Sequence, residues 1–178
     1  EVAVDAVTSQ QLSVTVLENS KNMGIHASRI DSLRIKSIAT AVTSSIVAIP
    51  VQLTLEGVTE AWNALQLARH PRLQVCASVS PVQMEYLYHK KPEKMLSAIE
   101  NAVKLCREKC DNVEFIADDA TRSDDTFLYE AIKTAIKAGA NTITVCDCTG
   151  AILPYEFSTF LDTLYANVPE LKDVTLGV

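Results

Sequence analysis

No stretch of this sequence approaches the roughly 20 consecutive apolar residues of a membrane span. A signal-peptide pattern is also missing, and the chain opens on Glu1 rather than Met. The expectation is a fragment or a processed chain that meets no membrane. Basic residues are outnumbered: 16 Lys and Arg stand against 22 Asp and Glu, a net charge of −6. That balance argues against nucleic acid and anionic lipid as partners and leaves small molecules. The phosphate-cradling patterns G-x-G-x-x-G and G-x-x-x-x-G-K-[ST] are absent, as is the G-x-S-x-G of serine hydrolases. The three histidines, His26, His70 and His89, form neither H-x-H nor H-E-x-x-H. No zinc signature follows from them. No C-x-x-C occurs among the five cysteines, Cys76, Cys106, Cys110, Cys146 and Cys148. An odd count without a disulfide framework points to a reducing, cytoplasmic compartment, with the cysteines as small apolar residues.

What is present is a regular alternation of strand-like and helix-like segments. Val51–Leu55, Leu73–Ala77, Val113–Ala117, Thr142–Cys146 and Val174–Val178 have strand composition. Leu12–Leu17 reads as an earlier strand, and Thr43–Ile49 is β-rich. Between them lie helical faces. Ile30, Leu33, Ile38 and Ala41 sketch one; Ala61, Leu65 and Ala68 form another, with Thr59 as its expected cap. Met95, Ile99, Val103 and Cys106 follow Pro92. Phe127, Leu128, Ala131 and Ile132 lie between an expected Ser123 cap and Gly139. Phe157, Phe160, Leu161 and Leu164 follow Pro154. Strand, helix, strand at this spacing predicts an α/β fold of parallel βαβ units. Periodicity leaves both a doubly wound sheet and a (β/α) barrel open. Either one places function at the C-terminal ends of the strands. A full barrel takes about 250 residues, so residues 1–178 are expected to form one barrel-type domain incomplete at both ends.

Three carboxylates fall at such strand ends: Asp118 and Asp119 after Val113–Ala117, and Asp147 after Thr142–Cys146. Grouped carboxylates suit proton transfer or coordination of magnesium or manganese. A single Asp at this place more often caps the next helix or closes a turn; three on two successive strand ends bring the functional reading level with that one. Tyr86 and Tyr88 with His89, Lys90 and Lys91 form a small aromatic and basic loop within reach of an anionic substrate.

Phe115-Ile-Ala-Asp-Asp-Ala-Thr-Arg-Ser-Asp124 resembles the F-S-A-E-D-A-T-R-S-D run of the 2-isopropylmalate and homocitrate synthases. Neighbouring segments agree in order. Ser80-Pro-Val-Gln-Met-Glu-Tyr86 resembles S-x-I-H-x-E-Y, and Ala138-Gly-Ala-Asn-Thr-Ile143 resembles A-G-A-x-x-I. Asp147-Cys-Thr-Gly150 resembles D-T-V-G, and Pro154-Tyr-Glu-Phe157 resembles T-P-x-E-F. The likeness covers roughly residues 50–178. It implies a partial (β/α) TIM-type barrel and an acyltransferase that condenses acetyl-CoA with a 2-oxo acid, as in leucine or related amino-acid biosynthesis. It also implies a divalent metal (Mg, Mn or Zn) and a homo-oligomer. By the same likeness Asp118 and Asp119 are the catalytic residues. Gln83, Arg122, Asp147 and Cys148 are the substrate-binding ones.

Departures are specific. Asp118 replaces Glu, Gln83 replaces the loop His, Cys148 replaces Thr and Ile116 replaces Ser. The family's Leu-Arg-Asp-Gly does not follow Val4-Asp5-Ala-Val-Thr8, and its H-x-H is not found, so no metal ligand is assigned. These departures keep two alternatives: a barrel-derived subunit without catalysis, and a carbon–carbon lyase of the same superfamily.

Overall fold

A computed structural model describes residues 14–15 and 29–178. His26 and the segment around Asp5 lie outside the described residues. Six strands form one sheet: β1 (Val14–Thr15), β2 (Val47–Val51), β3 (Pro71–Ser78), β4 (Val113–Asp118), β5 (Thr142–Val145) and β6 (Thr175–Gly177). Each strand pairs in parallel with the next one in the chain. A doubly wound sheet reverses its strand order at a switch point. This sheet never does, which leaves the barrel-type winding of the two expected solutions.

The helices are α1 (Arg29–Ala41), α2 (Leu55–Leu65), α3 (Pro81–Tyr86), α4 (Pro92–Arg107), α5 (Asp125–Ala138) and α6 (Pro154–Asn167). Strand alternation divides the sheet into two faces. Leu73, Val75 and Ala77 of β3, with Val113, Phe115 and Ala117 of β4, are fully buried in the apolar core shared with the helices. That core takes in Met95, Ile99, Val103 and Cys106 of α4 and Leu128, Ala131 and Ile132 of α5, the faces expected from spacing.

The opposite, inner face is polar near its N-terminal end. Glu114 is buried there; it accepts hydrogen bonds from Gln74 Nε2 at 2.9 Å and Thr144 Oγ1 at 2.6 Å, with Arg72 at 3.6 Å. A buried carboxylate survives only when partnered in this way. β6 closes against this network through Gly177, where an added Cβ would lie 2.5 Å from Thr144 Oγ1.

Several boundaries differ from the expected ones. The strand is Val47–Val51, not Val51–Leu55, because Thr54 caps α2 by accepting the Gly57 N–H at 3.1 Å. Thr59 sits inside that helix instead, its hydroxyl donating to the Leu55 carbonyl. Asp124, not Ser123, caps α5, accepting the Phe127 N–H at 3.0 Å. Ser123 is drawn off to the Val79 carbonyl at 2.7 Å. Gly139 does end α5, at φ 118°, a conformation that suits glycine. Among the α1 side chains described, Ile35 and Ala39 are buried, whereas Leu33 is exposed.

Candidate active site

Inner-face residues of β3, β4 and β5 lead outward to one rim. Register sets Cys76 beside Ile116 and Ser78 beside Asp118, and Cys146 donates its N–H to the Ala117 carbonyl at 3.1 Å. Asp118 is the last residue of β4, and its side chain is on this face. It is half-buried, and no described residue hydrogen-bonds its carboxyl group. Burial, and then the charge of Asp119, raises its pKa above the ordinary carboxylate value.

Asp119 turns the other way. Its backbone is left-handed at φ 62°, and its side chain is completely buried. Arg122 grips the carboxylate with two parallel bonds, Nε at 2.8 Å and Nη2 at 2.6 Å. Burial works to raise the Asp119 pKa, but the hydrogen bonds from Arg122 and Ser80 outweigh it and hold the carboxyl below its usual range. The Asp119 N–H donates to Cys148 Sγ at 3.1 Å. Asp147 is likewise engaged. It accepts from Thr121 Oγ1 at 2.9 Å, Thr149 Oγ1 at 3.1 Å and the Ile152 N–H at 3.2 Å. These bonds outweigh burial and lower its pKa. The Ala120 N–H reaches the Cys146 carbonyl at 2.9 Å. The loops after β4 and β5 are thus laced into one rigid rim.

The three strand-end carboxylates therefore share a rim but not a task. Asp119 and Asp147 are bound up in holding loops; Asp118 alone is uncommitted. Gln83, on α3, accepts the Ser78 hydroxyl at 2.7 Å, which brings it to the same rim. The exposed Cys148 has its sulfur turned to the Asp119 amide. Arg122 is half-exposed beyond its pairing with Asp119.

Three neighbours were not singled out as site residues by sequence reasoning. Cys76 and Cys146 lie on the inner face close enough to feel the Asp118 charge. Burial first, then Asp118, raises both thiols, Cys146 to about 11. Both are therefore neutral thiols at ordinary pH. Tyr88, expected only as part of a loop patch, folds inward and packs on the core. Its phenol meets the Ser78 backbone, and burial followed by the Asp118 charge raises its pKa. The signal was available for the cysteines, since alternation along β3 and β5 puts them in line with Ser78 and Asp118. For Tyr88 there was none: the short helix α3, which folds the loop back, replaces what reads as an irregular segment.

Among the described residues no three His, Cys, Asp or Glu side chains are placed to share a metal ion. The described residues thus do not by themselves fit the divalent metal that the synthase resemblance implies.

The HMGL-like family model matches residues 9–178. Named relatives agree. The 2-isopropylmalate synthase of Aquifex aeolicus (strain VF5) is 36% identical over 152 residues, which are 85% of this chain and 29% of that protein. The 2-isopropylmalate synthase of Clostridium kluyveri (strain NBRC 12016) is 29% identical over 169 residues, 95% of this chain and 32% of that protein. In Arabidopsis thaliana, 2-isopropylmalate synthase 2, chloroplastic, is 31% identical over 160 residues, 85% of this chain and 25% of its own length. The chain thus spans a third or less of these relatives. Solved structures of similar fold include a phosphonopyruvate hydrolase in complex with oxalate and Mg²⁺, at TM-score 0.56 and 16% identity, covering 87% of this chain and 60% of that one. Another is QR15, an aldolase, at TM-score 0.52 and 11% identity, covering 82% and 62%.

Proposed function

The chain belongs to the HMGL-like family, and from that membership we propose that its rim serves an acyltransferase condensing acetyl-CoA with a 2-oxo acid. The reading extends to leucine or a related amino-acid biosynthesis, in the cytoplasm, by a homo-oligomer whose barrel includes all of residues 1–178. The observation that carries it is Asp118: a half-buried, uncommitted carboxyl at a strand end, with a raised pKa. A carboxylate made more basic by burial is a better proton acceptor near neutral pH.

In this reading Asp118 takes a proton from the methyl group of acetyl-CoA. The enolate carbon then forms a bond to the ketone carbon of the oxo acid, whose oxygen becomes a hydroxyl on protonation. Hydrolysis of the thioester releases CoA and a 2-hydroxy dicarboxylic acid. Tyr88, Cys76 and Cys146 surround Asp118 with neutral groups, which keeps its environment poorly solvated. Asp119 and Asp147 serve as positioning residues, and Arg122 and Gln83 face the substrate from the rim. Cys148, through its hold on the Asp119 amide, fixes the turn on which Asp118 stands. No step is routed through a metal, because the described residues do not assemble a site for one.

The test is steady-state release of free CoA by the full-length protein, with a divalent cation supplied and several 2-oxo acids compared. Activity is expected with at least one of them. Asp118→Asn keeps the side chain's size and is expected to lower kcat by at least about 10²-fold, the usual contribution of a general base. Unchanged kcat would remove Asp118 from the mechanism. Failure of every oxo acid in the parent protein would favour the barrel-derived subunit without catalysis.

A further inference from the structure

At the other end of the sheet, β2, β3 and β4 begin beneath a hollow of about 570 Å³. That is ample for a small metabolite. Trp62 of α2 forms one wall, Pro71 and Asn112 lie at the strand starts, and Arg69, His70 and Lys109 stand around it. The two basic segments come from different loops, α2 to β3 and α4 to β4, and both are pinned. Val47 donates its N–H to the His70 carbonyl at 3.0 Å, and Leu73 donates to the Asn112 carbonyl at 3.2 Å. Arg72 Nε holds Asn112 Oδ1 at 2.9 Å, and the Cys110 thiol donates to the Pro71 carbonyl at 3.3 Å. The loops therefore present their cations from a fixed base.

Neither Arg69 nor Lys109 makes an ion pair with any described residue. Asp111 is the one acid among the described residues that line the hollow; its carboxylate is solvent-exposed, and Arg107 bonds its carbonyl and approaches the carboxylate at 3.6 Å. Arg69 and Lys109 are both exposed side chains that line one concavity, open to an anion entering it. An anion between the two would be attracted by both charges. Arginine and lysine together suit a phosphoryl group, the first by its fork of donors and the second as a compact charge. The aromatic wall offers a flat apolar surface to whatever carries the phosphate.

We propose that this hollow binds a phosphorylated small molecule, held by Arg69 and Lys109 against Trp62. The site is separate from the Asp118 rim. Val113 to Asp118 is six residues of strand, a separation of about 17 Å at ~3.3 Å per residue.

Trp62 is the only tryptophan in the sequence, so its emission reports on this hollow alone. The experiment titrates the chain with inorganic pyrophosphate and, in parallel, with ADP, at roughly 50 mM salt to limit screening. Fluorescence and calorimetry are both read. A saturable signal with Kd below about 1 mM is expected for at least one of the two. It should weaken about tenfold or more in the Arg69→Ala/Lys109→Ala double variant, as charge-assisted bonds are lost. It should stay unchanged in Asp118→Asn. Equal affinity for the two compounds identifies the phosphoryl group itself as what is recognised; tighter ADP identifies a nucleotide lying on Trp62. Either upholds the site. Both altered residues are exposed, and an unchanged melting temperature checks that the double variant folds. Absence of any saturable signal by both methods up to about 10 mM, a range that reaches affinities too weak to matter, overturns the proposal. So does equal affinity in the double variant.

Discussion

Asp118 and Asp119 are adjacent in the chain and opposite in their response to pH. The Asp118 pKa is raised on folding, by burial and then by Asp119. The folded protein therefore binds that proton more tightly than the unfolded chain does. Its contribution to stability is full below the ordinary carboxylate pKa and is lost as pH rises through the folded value. Asp118→Asn removes this loss, so it is expected to melt at a higher temperature than the parent near neutral pH. The gain should vanish below about pH 4, where the unfolded carboxyl is also protonated. Thermal melts across that range check it. A residue whose removal stabilises the fold and abolishes turnover is one kept for chemistry rather than for structure. Asp119 has the reverse sign. Its lowered pKa gives stability above the ordinary carboxylate value that is lost as pH falls through the folded one. Arg122→Ala leaves a buried acceptor short of its main partner and is expected to lower stability near neutral pH. The cost is moderated because Arg122 is 47% exposed and solvent screens part of the pairing. Urea denaturation should show that cost shrinking in acid.

The strands and helices make their own demands. Gly177 lets β6 approach Thr144 so closely that Ala there must displace the threonine or the strand. Displacing Thr144 also breaks its 2.6 Å bond to the buried Glu114. Gly177→Ala is expected to cost about 1–3 kcal/mol, the usual range for overpacking. Hydrogen exchange should show the loss first at the β5–β6 pairing, before β3 and β4 are affected. The long helices α4, α5 and α6 were legible because each begins at a Pro or Asp and carries a regular apolar face. The strand before α2 was not. Val47 to Leu55 is largely apolar, broken only by Gln52 and Thr54, and it is the hydrogen bond from Gly57 to Thr54 that shows where the strand has stopped. At the site, position along the strands foretold that Asp118 and Asp147 share a rim. It could not foretell which of them is free, because Thr121, Thr149 and Ile152 reach Asp147 through loop geometry that has no period. Arg122 was expected at the substrate; its two bonds to Asp119 emerge only with the left-handed turn between them.

At the scale of the whole molecule, β1 and β6 each have one partner among the described strands, which leaves one edge of each unpaired within that set. Open edges of parallel sheet invite pairing with other chains. The 178-residue chain is expected to self-associate at concentrations on the order of 100 µM. Light scattering checks this, and a monodisperse monomer with a cooperative melt would count against an incomplete barrel. The order of the strands has a further consequence, for synthesis. Among the described strands, each one after β1 pairs with the strand made just before it. On the ribosome, β3 can dock on β2 while β4 is still being decoded, and among the described strands none from β2 to β6 waits for a later one. Nascent-chain arrest measurements should therefore record a series of small pulling events, one for each βα unit released from the exit tunnel. A single late event would count against this sequential pairing.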